Sequence, residues 1–172
     1  PLLIEGLAIM VYMRVDQTML GQMISGEEGA REVGLYASAV KLSEIWLFVP
    51  MAIRTTFFPT IVRSKTLAPA EYRQRIQRLL NLMVLLSYGV AIPTTILAPF
   101  IIRLFYGAEF GDAAPMLAIL IWSGVWSSLG LLRSAVIQSE NRQILTLQAS
   151  ILGAVSNVLL NLVLIPPLGG IG

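Results

Sequence analysis

Five apolar stretches dominate the sequence: residues 2–24, 33–62, 76–98, 113–138 and 144–165. Each is close to, or longer than, the ~20 residues a helix needs to cross the hydrocarbon core of a bilayer. The third continues as an apolar run to Leu104. Such segments leave little chain for a polar shell: 13% of the residues are charged and 56% are hydrophobic, where a soluble domain carries about 25% charge. The mean hydropathy of +0.76 agrees. The pattern predicts an all-α, polytopic membrane helix bundle of about five transmembrane helices, forming a single domain over 1–172. It argues against an ordinary soluble enzyme and excludes a disordered chain.

The breaks between stretches carry turn residues. Ser25-Gly26-Glu27-Glu28-Gly29 closes the first, and Ala68-Pro69-Ala70-Glu71 divides the second from the third. Tyr106-Gly107 to Gly111-Asp112 and Ser139-Glu140-Asn141-Arg142 separate the rest, and Pro166-Pro167-Leu168-Gly169-Gly170 is expected to stop the last. Pro50 and Pro93 fall inside stretches and are expected to kink them. The chain starts at Pro1 without an initiator Met or signal peptide, so it is expected to be a piece of a longer protein, incomplete at both ends.

Loop charge gives an orientation. Arg63, Lys65, Arg73, Arg75, Arg78 and Arg142 lie in two connections on one side, which is expected to be a solvated cytoplasmic face that touches anionic lipid. Arg31 and Arg103 lie on the other side among Glu27, Glu28, Glu32, Glu109 and Asp112. The net charge of +2 therefore belongs to membrane orientation and gives no reason to expect a nucleic-acid partner.

Cys and His are both absent. That excludes disulfides, a Cys or His metal site, a Cys nucleophile and every His-based triad. No Walker A or dinucleotide-binding glycine pattern occurs. Glu5 and Asp16 share a helix face but stand roughly 16 Å apart, too far for a two-carboxylate hydrolase. No catalytic residue, metal site or cofactor is expected.

The informative charges are those inside the spans: Glu5, Arg14, Asp16, Lys41, Glu44, Arg54 and Arg133. Each costs a few kcal/mol near the bilayer centre, so such groups face a bundle interior or a wet cavity. At about 100° per residue, Glu5, Tyr12 and Asp16 share one face of the first helix, and Arg14 points nearly opposite. Lys41 and Glu44 are three apart and placed to pair. Tyr36, Ser43, Pro50 and Arg54 form a stripe on the second helix. Ser123, Ser127, Gly130 and Ser134 form one on the fourth, and Thr146, Ser150, Ala154, Asn157 and Asn161 one on the fifth. Two explanations stay open for these stripes: close helix packing through small and polar residues, or the lining of a hydrophilic cavity. For Glu5, Asp16 and Arg54 the cavity is favoured, whereas Lys41 and Arg133 lie near helix ends and are expected to snorkel. Trp46, Trp122 and Trp126 are expected to pack or to sit at an interface.

Several phrases, in order, resemble a known family. They are Arg14-Val-Asp16-Gln17-Thr-Met19-Leu20-Gly21, then Val33-Gly34-Leu35-Tyr36-Ala37-Ser-Ala39, Pro50 and Phe58-Pro59. Leu104-Phe105-Tyr106-Gly107-Ala-Glu-Phe110 with Ala114-Pro-Met-Leu117 follows, then Asn157-Val-Leu-Leu-Asn161, Leu164-Ile165-Pro166 and the Gly169-Gly170-Ile171-Gly172 tail. Together they resemble the polysaccharide-transporter and O-antigen (oligosaccharidyl-lipid) flippase branch of the multidrug/oligosaccharidyl-lipid/polysaccharide exporter superfamily. The resemblance implies two six-helix lobes around a central cavity, with this chain matching most of the second lobe and an N-terminal lobe missing. It implies alternating-access export of polyprenyl-linked oligosaccharide across a bacterial or archaeal cytoplasmic membrane, without ATP hydrolysis and coupled to H⁺ or Na⁺.

Within that frame the candidates for a cavity that holds the substrate headgroup are Arg14, Lys41, Arg54, Asn157 and Asn161, chosen by charge and depth. The ion-coupling candidates are Glu5, Asp16 and Glu44. Two alternatives share the superfamily, a multidrug cation antiporter and a lipid II flippase; four basic against three acidic embedded charges disfavour the antiporter. An alternative of another class is a membrane-embedded glycosyltransferase or polymerase, which would want a large outer loop rich in acids. A structural membrane subunit would not need seven embedded charges.

Overall fold

The computed structural model describes residues 14–24, 26–67, 69–140 and 142–171. The described chain is helical, with no strand. Helix α1 covers residues 14–23, α2 Gly26–Ile45, α3 Phe48–Leu67, α4 Pro69–Tyr106, α5 Ala113–Ser139 and α6 Gln143–Leu168, with single 3₁₀ turns at Ala108–Phe110 and Gly169–Ile171. Among the described residues four helical stretches are long and apolar enough to cross a membrane: Gly26–Arg63, Glu71–Tyr106, Ala113–Ser139 and Gln143–Ile171. The protein is thus an all-α polytopic bundle. Most of the first expected span, residues 2–13, lies outside the described residues.

Three helix limits depart from expectation, each for a backbone reason. The stretch expected as one helix over 33–62 starts at Gly26 and is cut at Trp46-Leu47, ahead of Pro50. A proline has no N–H to give the carbonyl four residues back, so Trp46 O cannot be satisfied by Pro50. It accepts instead from Val49 N–H at 3.0 Å, after a tight Leu47 N–H to Glu44 O bond of 2.9 Å. Pro50 then sits in the first turn of α3, where its missing donor costs nothing. Second, α4 begins at Pro69, so Arg73, Arg75 and Arg78 are not loop residues but the opening turns of a 38-residue helix. At 1.5 Å per residue such a helix is about 57 Å long, well beyond the ~30 Å hydrocarbon core. Third, α6 runs through Pro166 and Pro167 to Leu168, and the stop is made by Gly169 at φ +59°.

Helix α5 is the spine. Its first turns bury Ala113, Ala114, Met116 and Leu117 against Leu35 and Ala39 of α2 and Ala98 and Ile102 of α4. Its middle buries Ile121 and Val125 against Trp46 and Ala91. Its far end buries Leu132 against Ile61 of α3 and Leu79 and Met83 of α4. The order of these three clusters makes α4 antiparallel both to the α2–α3 pair and to α5. Gly124 is what lets the helix break come close: a Cβ there would stand 2.4 Å from Trp46 Nε1.

The packed face of α5 is therefore not the expected serine stripe. Ser123, Ser127 and Gly130 are exposed and Ser134 is half-buried. Ser123 donates to its own helix, at Leu120 O (2.7 Å), so its hydroxyl needs no neighbouring helix. On α6 the expected stripe does face inward: Thr146 and Asn161 are buried, as is Ile165. The opposite face of α6 presents Leu152, Val155, Leu159 and Val163 to the outside.

Candidate functional site

Asp16 on α1 is the point where three helices meet. Its Oδ2 accepts from the Tyr36 hydroxyl of α2 at 3.1 Å. Its Oδ1 accepts from the Asn161 side-chain amide of α6 at 2.7 Å. The same amide reaches Asn157 Oδ1 at 3.4 Å and Met19 Sδ at 3.9 Å. Residues 157 and 161 are one turn apart, and 16 and 19 are three apart, so helical spacing on α1 and α6 presents these groups as facing rungs. Asn161 is 7% exposed. Asp16 has no ion-pair partner among the described residues. Among the described residues the side-chain donors that meet this carboxylate are both neutral, the Tyr36 hydroxyl and the Asn161 amide.

The clasp borders a cleft of about 250 Å³. Asp16, Tyr36, Asn157 and Asn161 supply its polar lining, and Met116 and Leu120 of α5 form part of the apolar wall. The Gly169–Ile171 turn closes one side of it. That turn is fixed by Gly170 N–H donating to Glu32 Oε2 at 2.9 Å. A Cβ on Gly170 would stand 2.7 Å from Met116 Cε and 2.8 Å from Glu32 Oε2, so the ends of both side chains would have to shift to admit one. Nearby, Arg31 of α2 pairs with Asp112 ahead of α5. This pair puts the α1–α2 and α4–α5 connections at the same end of the bundle.

The candidates drawn from sequence are thus sorted. Asp16, Asn157 and Asn161 come together. Arg54 does not join them: its guanidinium donates to Gln138 Oε1 at 3.1 Å, tying α3 to the last turn of α5. Gln138 is 18 residues beyond Leu120, about 27 Å along the helix. Tyr72 and Ser139 share a hydrogen bond of 3.4 Å at that end. Arg14 and Lys41 are exposed, and Glu44 is half-buried. The expected Lys41–Glu44 ion pair does not form. The described residues therefore do not gather Arg14, Lys41 and Arg54 into one cationic cavity. Arg133 is exposed near the end of α5, and Glu5 lies outside the described residues. No group of three or more acidic side chains suited to a metal ion occurs among the described residues. Trp122 donates to Thr95 Oγ1 at 3.0 Å and meets Tyr88 edge-on, while Trp126 is 75% exposed.

Sequence reasoning missed three participants. Tyr36 was visible as a polar residue on a helix face, but nothing in its spacing points to Asp16, 20 residues earlier. Glu32 looks like one more loop acid; the only available signal was the Gly169-Gly170 pair that its carboxylate binds. Gln138 carries no signal in an otherwise apolar segment.

Comparison with known proteins bears on what such a site serves. Over 165 residues the chain is 24% identical to the "Probable low-salt glycan biosynthesis flippase Agl15" of Haloferax volcanii, covering 94% of this chain and 34% of that protein. Over 175 residues it is 25% identical to the "Probable flippase AglR" of the same organism, covering 98% of this chain and 35% of that protein. The chain is a relative of the flippases. It spans about a third of the length of the curated relatives it matches. No protein-family model matches the chain, and no solved structure matches it significantly. The relationship and the four apolar helical stretches agree on a multi-pass membrane protein. Its Asp16 clasp lies in the part shared with both flippases.

Proposed function

We propose that this chain is the part of a glycan-precursor flippase that couples an ion to substrate movement, with Asp16 as the ion-responsive group. The substrate class is a lipid-linked oligosaccharide or polysaccharide precursor, of which an O-antigen or lipopolysaccharide precursor is one form. The membrane is the cytoplasmic membrane of a bacterium or archaeon, with the arginine-rich end of the bundle inside. Transport is by alternating access and is non-hydrolytic, so the protein is not an enzyme. A second lobe of helices completes the cavity.

The observation that carries the reading is the clasp. Asp16 is an acidic side chain met by neutral donors from two other helices, beside a cleft. A proton or Na⁺ arriving at Asp16 competes for the oxygens that Tyr36 and Asn161 now hold. It therefore changes how strongly α1 is tied to α2 and α6. That gives two arrangements of the helices whose balance an ion shifts, which alternating access requires. Side-chain oxygens of Asp16, Asn157 and Asn161 are hard ligands suited to such a cation.

The test is flipping of a fluorescent polyprenyl-pyrophosphate oligosaccharide by the full-length protein in vesicles, with an imposed Na⁺ or H⁺ gradient. Asp16→Asn keeps the shape and removes the charge. It is expected to abolish gradient-driven flipping while leaving the folded protein intact. Full gradient coupling in the variant would overturn the assignment of Asp16. Absence of flipping by the parent protein under either gradient would overturn the flippase reading itself.

A further inference from the structure

A second concavity lies between α3 and α4, away from the clasp. It has a volume of about 360 Å³ and is lined by Phe57 and Ile61 of α3 and by Arg75, Arg78, Leu79 and Leu82 of α4. Its charged groups are both cationic, Thr60 adds a neutral hydroxyl, and the remaining wall is apolar. Arg78 is exposed and has no ion-pair partner among the described residues. Arg75 pairs with Glu71 at 2.8 Å, but both side chains are largely exposed, 44% and 61%. An exposed pair four residues apart on a helix is worth only a few tenths of a kcal/mol. It leaves most of the five guanidinium donors free.

The position of this groove matters as much as its charge. The apolar span of α4 begins at Glu71 and that of the α2–α3 stretch ends at Arg63. The arginines therefore stand where hydrocarbon gives way to headgroups. Arg75 and Arg78 are three apart, and Leu82 and Leu85 follow at the same helical phase, seven and ten residues after Arg75. Leu82 and Leu85 are 39% and 71% exposed. The result is a stripe with two cations at the interface and about 10 Å of open apolar surface leading from Arg78 toward the bilayer interior. A phosphate bound by the two guanidinium groups would lay its acyl chain on that stripe.

We infer that the α3–α4 groove is a binding site for an anionic phospholipid of the surrounding leaflet. Two arginines three residues apart match phosphate oxygens in charge and in fork geometry. Basic pockets between spanning helices recognise lipid headgroups in this way. Arg63 and Arg73 are exposed at the same end but do not line the groove, so the headgroup preference rests on Arg75 and Arg78. The bound lipid seats the α3–α4 hairpin at a fixed depth. The inference does not depend on what the protein transports.

The experiment places a reporter in the groove. Phe57→Trp in the full-length protein, reconstituted in phosphatidylcholine, is titrated with brominated phosphatidylglycerol or brominated phosphatidylcholine. The quenching is read as the difference from the parent protein, which has Trp46, Trp122 and Trp126. A contribution of about fivefold per arginine predicts a preference of about twenty-five-fold for phosphatidylglycerol, falling to about fivefold in Arg78→Gln and to near parity in Arg75→Gln/Arg78→Gln. Native mass spectrometry of the protein with and without the arginine changes, at unaltered Phe57, reads the same preference without the reporter. Parity between the two lipids in the parent groove overturns the proposal, as does a preference that survives loss of both arginines. Displacement of phosphatidylglycerol by an equimolar polyprenyl pyrophosphate also overturns it, and assigns the groove to the transported lipid instead.

Discussion

At one end of the bundle a carboxylate, Asp16, is drawn in between α1, α2 and α6 and held by two neutral donors. At the other end a guanidinium, Arg54, spans α3 and α5 and is met by a neutral amide, Gln138. Neither charge has an ion-pair partner among the described residues. Their settings differ. Arg54 sits on helices that already share a hydrophobic cluster, Ile61, Leu79, Met83 and Leu132. Asp16 joins α1 and α6 across a cleft, and α6 buries only Thr146, Asn161 and Ile165. A polar bond between packed helices fastens what packing has already placed. A polar bond beside a cleft, on a helix with few buried residues, is a larger share of what holds that helix. The difference argues for a moving part at Asp16 and a fixed one at Arg54.

The largest expected effect therefore falls on the clasp. Asn161→Leu removes the 2.7 Å donor and leaves Asp16 with Tyr36 alone. Hydrogen bonds to a charged group contribute about 1.5–3 kcal/mol, so gradient-driven flipping is expected to fall by roughly ten- to a hundredfold. Tyr36→Phe removes the longer bond and should cost less than Asn161→Leu in the same vesicle assay. If both variants flip at the parental rate, the clasp is only a packing contact and the contrast with Arg54 disappears.

The next effect tests the fixed part of the bundle. Gly124→Ala puts a methyl group 2.4 Å from Trp46 Nε1. Overpacking of this kind costs about 1–3 kcal/mol, read as a lowered thermal midpoint in detergent. Trp46 sits at the α2–α3 break, so the strain should spread to α3 and leave the Asp16 cleft unchanged. A midpoint equal to that of the parent would mean that the break can move freely, and the fixed-end argument would fail.

The parts legible in the sequence follow the same division. Asp16, Asn157 and Asn161 stood out because polar groups in apolar spans are costly, and helical phase placed the last two on the inner face of α6. Their shared partner, Tyr36, depends on which helices become neighbours, and no local pattern encodes that. Of the two readings open for the serine stripe on α5, packing inside the described bundle is the one that its exposure excludes, and Ser123 satisfies its hydroxyl on its own helix at Leu120 O. Arg73, Arg75 and Arg78 looked like a loop because charge density marks the edge of hydrocarbon, whereas a helix continues past that edge. Pro50 was expected only to kink one continuous helix, and the structure breaks that helix instead. The location of the break one turn earlier follows from the carbonyl that a proline leaves without a donor.

Arg54→Met is the smaller counterpart of the clasp variants. It keeps an apolar stem between α3 and α5 and removes the 3.1 Å bond to Gln138. A net loss of about 1 kcal/mol is expected, with gradient-driven flipping retained because the neighbouring core is unchanged. Loss of coupling in Arg54→Met comparable to that in Asn161→Leu would show that both ends move.

The smallest effect belongs to Arg31 and Asp112, whose side chains are 57% and 68% exposed. They lie at the same end as the clasp and could be mistaken for part of it. Exposed ion pairs contribute about 0–1 kcal/mol and weaken as salt rises. Arg31→Gln should therefore lower the thermal midpoint only slightly at low ionic strength, and the difference should vanish near 1 M salt, where the screening length is about 3 Å. A cost that persists at high salt would mean the pair is shielded from solvent by a neighbouring element, and would place it with Asp16 among the bonds that hold the cleft. A cost that disappears leaves Glu32 and Gly170 as the tie at this end. That bond is donated by the backbone N–H of buried Gly170 to the Glu32 carboxylate, so salt should leave it in place.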